Sequence, residues 1–182
     1  MRTKRRVVDG ACAVVLIAGL AFASSSAIAQ PSKRSAEQGN VHGVPLADPA
    51  FDSAAREARR TLPIFLAKWR AKPAGYAAFR VKAAFRTDDG LGDEYLWFEP
   101  QTVSANGQMS GRLSNDTTRI LKMKMGSSVQ VEPRKIVDWM YVKDRRMFGQ
   151  FTMRAQLDRA TPQQRAQFEA VLSPTPLEQS SN

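Results

Sequence analysis

The run from Phe79 to Arg86 limits the fold more than any other feature of the chain. Phe79, Val81, Ala83 and Phe85 alternate there with Arg80, Lys82, Ala84 and Arg86. Successive side chains of a strand point to opposite faces, so this is a strand with one apolar and one largely basic face. Such a strand has to bury its apolar face under a second layer. The preceding segment supplies one. Asp48-Pro49 reads as an N-cap followed by proline at the first helical position. Phe51, Ala54, Ala55, Ala58, Leu62, Phe65, Leu66 and Trp69 then recur at steps of three and four, which is one helical face. Arg56, Arg59, Arg60, Lys68 and Arg70 fall mostly off that face. Pro63 interrupts the run, so a kinked helix or two short helices in line are expected.

Turn signals divide the rest into further strands. Asp88-Asp89-Gly90-Leu91-Gly92 separates the first strand from Tyr95–Phe98, and Asn106-Gly107 leads into Met109–Leu113, where Gly111 suggests a bulge or a close backbone approach. Asn115 to Thr118 could cap a short helix at Arg119–Met125, ended by Gly126. Strands follow at Ser128–Glu132, Val137–Val142 and Met147–Met153. Thr161-Pro162-Gln163-Gln164 then opens a last helix with a capping box. Helix first, strands together and helix last predicts an α+β fold. It comprises an N-terminal helical segment, a strongly twisted antiparallel sheet of about five to six strands, with spacing that would also allow a barrel, and a short C-terminal helix. Residues 47–172 form a single domain, and 173–182 a disordered polar tail.

The N-terminus has the three parts of a secretory signal. Arg2, Lys4, Arg5 and Arg6 precede an apolar run from Ala11 to Ala23, and Ala27-Ile28-Ala29 places small residues at the cleavage positions. The apolar run falls short of the roughly 20 residues that span a bilayer. Residues 1–29 are therefore read as a signal peptide, cleaved before Gln30, and 30–46 as a flexible leader. A periplasmic or secreted protein with no membrane span after cleavage is expected. Cys12, the only cysteine, leaves with the signal, and His42, the only histidine, lies in the leader. Within the folded span this excludes disulfides, cysteine nucleophiles, histidine triads and ordinary zinc sites. No phosphate-binding glycine loop precedes a helix. No metal and no cofactor is expected.

The chain carries 27 Lys and Arg against 17 Asp and Glu. Four of the basic residues and one of the acidic ones lie in the signal, which leaves +7 on the remainder. A basic surface favours anionic partners. After export these are an anionic envelope polymer or an acidic protein; nucleic acid is not expected.

An ordered set of short motifs carries a family resemblance. They are Phe79-x-Val81-Lys82-x-x-Phe85, Glu94-x-x-Trp97, Gly111-x-Leu113-x-Asn115-Asp116, Gly126-x-x-Val129-x-Val131, Ile136-x-Asp138-Trp139-Met140-Tyr141 and Gly149-x-x-Thr152-x-Arg154. Together they resemble the domain of unknown function 2314 family, which includes YegJ-like exported proteins, over roughly residues 50 to 155. Val137, Arg145 and Thr117 stand where members of that family usually carry serine, glycine and proline. The resemblance implies no particular activity.

The candidate site is Glu94, Trp97, Asn115, Asp116, Asp138, Trp139, Thr152 and Arg154. With Asp138 on one strand and Thr152 and Arg154 on the next, an Asp138–Arg154 ion pair across a hairpin is expected. Asp88, Asp89, Asp93 and Glu94 cluster about one turn but lack a calcium-loop pattern. Two functional readings follow. The first is a non-catalytic binding or accessory domain for an anionic polymer or a protein partner. The second is a hydrolase or lyase using two carboxylates, Glu94 with Asp138 or Asp116, which would have to face each other across an open groove.

Overall fold

The computed structural model describes residues 48–179. The expected signal peptide, the expected leader with His42 and the last three residues lie outside the described residues. Helix α1 spans Pro49–Ala71. Its N-cap is Asp48, whose carboxylate accepts from the Ala50 N–H at 3.0 Å, and Pro49 opens the first turn. The helix continues through Pro63 as a single element rather than two. Pro63 lies on the exposed side, where the hydrogen bond it removes costs no core contact. Phe51, Ala55, Ala58, Leu62 and Phe65 form the buried face, as their spacing predicts.

Six strands follow: β1 (Tyr76–Arg86), β2 (Asp93–Val103), β3 (Met109–Leu113), β4 (Ser128–Val131), β5 (Ile136–Lys143) and β6 (Arg146–Gly149). They pair antiparallel in the order β4-β3-β2-β1-β5-β6. This is an α+β fold with an open sheet. The barrel that the strand spacing allowed does not form, because β4 and β6 remain as edges. The basic-and-apolar strand β1 lies between β2 and β5, with Val81 opposite both Phe98 and Trp139. Its apolar face and α1 enclose the core: Ala58, Leu62 and Phe65 from the helix, and Val81, Ala83, Leu96, Phe98, Trp139 and Tyr141 from the sheet. Burying each such large side chain contributes about 1.5–3 kcal/mol. The Trp139 indole N–H fixes the helix on the sheet by donating to Ala58 O at 3.0 Å and Thr61 Oγ1 at 3.2 Å.

Gly111 marks the expected close approach: a Cβ there would lie 2.2 Å from Glu99 O. The β5–β6 turn places Asp144 and Arg145 at φ +49° and +62°, so Arg145 occupies a left-handed conformation that suits glycine.

Three segments differ from the sequence expectation. No helix forms at 119–125. Side chains there bind the local backbone in a competing pattern, with Thr117 Oγ1 donating to Ile120 O at 2.7 Å and lying 3.1 Å from Met123 O, and Asp116 Oδ1 accepting from Met125 N. The strand expected at Met147–Met153 ends at Gly149. Gly149 and Gln150 have φ +75° and +56°, and Phe151–Arg154 is a helical turn, α2. After the 3₁₀ turn Leu157–Arg159, α3 spans Pro162–Val171 with its full capping box. The tail expected to be disordered from Ser173 is packed as far as Glu178. Ser173 N–H donates to Met147 O, Gly149 N–H donates to Pro176 O, and Leu177 lies against the core. Among the described residues no helix is long and apolar enough to cross a membrane.

Candidate functional site

The eight candidate residues divide into separate groups. Trp97, Asp138 and Thr152 meet about a lysine that sequence reasoning left out, Lys82. Register pairs Lys82 with Trp97 on one side and Asp138 on the other. Asp138 is fully buried, and its carboxylate accepts four hydrogen bonds: from the N–H groups of Trp139 (2.8 Å), Phe151 (3.0 Å) and Thr152 (2.8 Å), and from the Thr152 hydroxyl (2.6 Å). It thus caps α2 from another strand. The Lys82 ammonium donates to Thr152 Oγ1 at 3.2 Å and lies 4.8 Å from the centre of the Trp97 ring. A relay results, Lys82 to Thr152 to Asp138. Burial pushes the Asp138 carboxyl up, against the pull of Lys82, Thr152 and the backbone donors. Burial pushes the Lys82 ammonium down, against Asp138. Four converging donors match a carboxylate, which only accepts.

The expected Asp138–Arg154 contact is not made. Arg154 lies on helical α2 rather than on a strand, which turns its guanidinium away to Gly149 O at 2.8 Å and to Ser173 O and Oγ at 2.9 and 3.0 Å. Asp138 reaches it only through its field. Trp139 belongs to the core described above.

Glu94, Asn115 and Asp116 form a third group that ties the β3–β4 connection to β2. Glu94 accepts from the N–H groups of Thr118 and Arg119 at 2.8 and 3.1 Å. Asn115 Oδ1 accepts from Trp97 N at 2.9 Å. Asp88 and Asp89 bind the same connection, through Leu121 N–H and the Arg119 guanidinium. Hydrogen bonds from Arg119 and Thr87 hold the Asp89 carboxyl far below the usual range. Among the described residues no group of three or more acidic, histidine or cysteine side chains is placed to hold a metal ion. Glu94, Asp116 and Asp138 share no hydrogen-bond partner, and each accepts from backbone N–H groups.

Sequence reasoning also missed a cleft of about 450 Å³ at the other end of β1. Trp69, Tyr76 and Phe79 supply aromatic walls, and Lys72, Glu99 and Gln101 supply polar groups. The apolar phase of α1 did place Trp69 on the helix face that meets the sheet. What periodicity could not show is that α1 ends there, with Lys72 in the left-handed conformation, and leaves the aromatic end of β1 uncovered.

Tyr76 also belongs to a second cluster. Its hydroxyl lies 2.8 and 2.7 Å from the two Glu178 carboxylate oxygens. Tyr141 donates to Oε1 at 2.7 Å and Lys143 to Oε2 at 2.8 Å, and the Lys68 ammonium is 3.2 Å from Oε1. Burial would raise the Glu178 carboxyl, but hydrogen bonds from Lys143, Tyr76, Tyr141 and Lys68 pull it down to about 2. Its hydrogen bonds to Glu178 and Tyr76 hold the Lys143 ammonium up at about 12. Tyr141 and Lys143, two apart on β5, share a face, and Tyr76 pairs with Lys143 across β1 and β5. That much is implicit in a correct register. The carboxylate arrives from 102 residues beyond Tyr76.

A family model described as "Uncharacterized protein conserved in bacteria (DUF2314)" matches residues 48–173. "Uncharacterized protein YegJ" of Escherichia coli (strain K12) is 31% identical over 104 residues, which cover 57% of this chain and 65% of that protein. The chain thus matches less than two thirds of that relative's length. No solved structure matches the chain.

Proposed function

The chain belongs to the DUF2314 family of bacterial proteins, and from that premise we propose that it is an exported, non-catalytic binding or accessory domain. Its partner is an anionic envelope polymer or an acidic protein. The observation that carries this reading is the cleft lined by Trp69, Tyr76, Phe79 and Lys72. Aromatic faces and an ammonium group on an open cleft suit a ligand with apolar surface and negative charge. The charge balance agrees, since the residues after the expected cleavage site carry a net +7. The carboxylate hydrolase reading loses its support because Glu94, Asp116 and Asp138 are each committed to backbone donors.

The test is capture from envelope extract by the chain beginning at Gln30, alongside Trp69→Ala and Lys72→Ala variants. Retention of an anionic polymer or acidic protein by the parent and its loss from both variants supports the reading. Equal retention by all three overturns it. Turnover of a wall polymer by the parent would restore the enzymatic reading.

A further inference from the structure

We propose that Lys68, Tyr76, Tyr141 and Lys143 form a carboxylate-binding socket for an acidic polypeptide segment, and that the chain's own Pro176-Leu177-Glu178 fills it as an exchangeable internal ligand. The proposal deepens the binding reading above and rests on it. Its first support is the convergence of donors. Two ammonium groups and two phenols, drawn from α1, β1 and β5, meet on one carboxylate at 2.7 to 3.2 Å. Charge-assisted hydrogen bonds of this kind are the strong ones. Among the described residues Glu178 is the only acid that pairs with Lys68 or Lys143. Both ammonium groups also lie over the Tyr76 ring, at 5.0 and 5.2 Å from its centre. Both pair with the one carboxylate, which offsets the repulsion between them.

The second support is how the ligand is presented. Pro176 O accepts from Gly149 N–H at 2.8 Å at the end of edge strand β6, beyond the parallel bridge between Met147 and Leu172. Leu177 packs against the core. One backbone bond at a sheet edge, one apolar side chain and one carboxylate in a fitted socket are the elements by which a short peptide segment is recognised. Access exists as well. The Glu178 side chain is 20% exposed, and Tyr76 is shared between socket and cleft. The recognised chemistry is therefore a bent segment with an acidic residue just after an apolar one.

The experiment uses the full chain and a labelled peptide of residues 173–179, Ser-Pro-Thr-Pro-Leu-Glu-Gln, with fluorescence anisotropy as readout. Glu178→Ala vacates the socket, and Glu178→Gln is a second, isosteric variant. Both are checked for native circular dichroism. The peptide is expected to bind the Glu178→Ala chain at least tenfold more tightly than the parent chain. Binding should fall at least tenfold again when Lys143→Gln is added, or when the peptide's glutamate is replaced by alanine. Equal binding to parent and Glu178→Ala, binding that ignores Lys143, or no binding to a folded variant overturns the proposal. So does unfolding of both Glu178 variants, because the tail would then be a fixed structural part. Failure of Trp69→Ala to affect capture from envelope extract bears on the cleft alone and leaves this result standing.

Discussion

Asp138→Asn is predicted to be the most damaging isosteric change in the buried relay. An asparagine keeps one acceptor oxygen and replaces the other with an NH₂ group. In one orientation the NH₂ faces the Thr152 N–H and hydroxyl; in the other it faces the N–H groups of Trp139 and Phe151. Either way two buried donors lose a charged acceptor and meet a donor instead. Each hydrogen bond to a charged group is worth about 1.5–3 kcal/mol. The Lys82 ammonium also loses its buried counter-charge, so the cost is about 3–5 kcal/mol. Lys82→Met should cost less, about 2 kcal/mol, because Asp138 keeps its four donors. The double variant should lose less than the sum, with a coupling energy of about 1–3 kcal/mol. Arg154→Met should couple with Asp138→Asn more weakly than Lys82→Met does, since Arg154 spends its donors on Gly149 and Ser173. Urea unfolding of the single and double variants measures all of these. A loss under about 0.5 kcal/mol for Asp138→Asn, as at an ordinary surface position, would refute the reasoning. So would a stronger coupling to Arg154 than to Lys82.

The Glu178 cluster predicts a pH dependence. Its carboxyl falls from 4.5 to about 2 on folding, so its stabilisation is complete above pH 4.5 and is lost as pH falls toward 2. At about 1.4 kcal/mol per pH unit this is about 3 kcal/mol at most, cut to about 1–2 by the partly exposed lysines. Acid titration of the melting temperature should show the parent losing this increment and Glu178→Gln lacking it. Arg145→Gly should stabilise the β5–β6 turn by about 0.5–1 kcal/mol, because relief of the left-handed strain exceeds the added freedom of the unfolded chain; thermal melting checks it, and destabilisation would contradict the φ of +62°. Intact-mass analysis of exported protein should place the N-terminus at Gln30, whereas recovery of the full chain in the membrane would refute the signal reading.

Local chemistry determined much of this protein before any tertiary contact was known. Asp48-Pro49 and Thr161-Pro162 start helices because their side chains cap the adjacent backbone. The period-two run of β1, and the Met109–Leu113 strand with its close approach at Gly111, follow from which faces need burial. The same reasoning misplaced whatever depended on a partner far along the chain. Phe151–Arg154 reads as strand in isolation. It turns helical because Asp138 supplies its N-terminal N–H groups with an acceptor from β5. By pattern alone Lys82 is one of three basic residues on the largely basic face of β1. The register of β1 with β5 set it beside Asp138, and α2 then covered it. Ser173 to Glu178 are polar and proline-rich, which locally favours disorder. They are ordered because Gly149 at the end of edge strand β6, Arg154 on α2 and the four donors from α1, β1 and β5 around Glu178 await them. Pattern and capping act within a few residues, so sequence alone can reveal them; a buried charge or a carboxylate socket needs groups that only the folded backbone brings together.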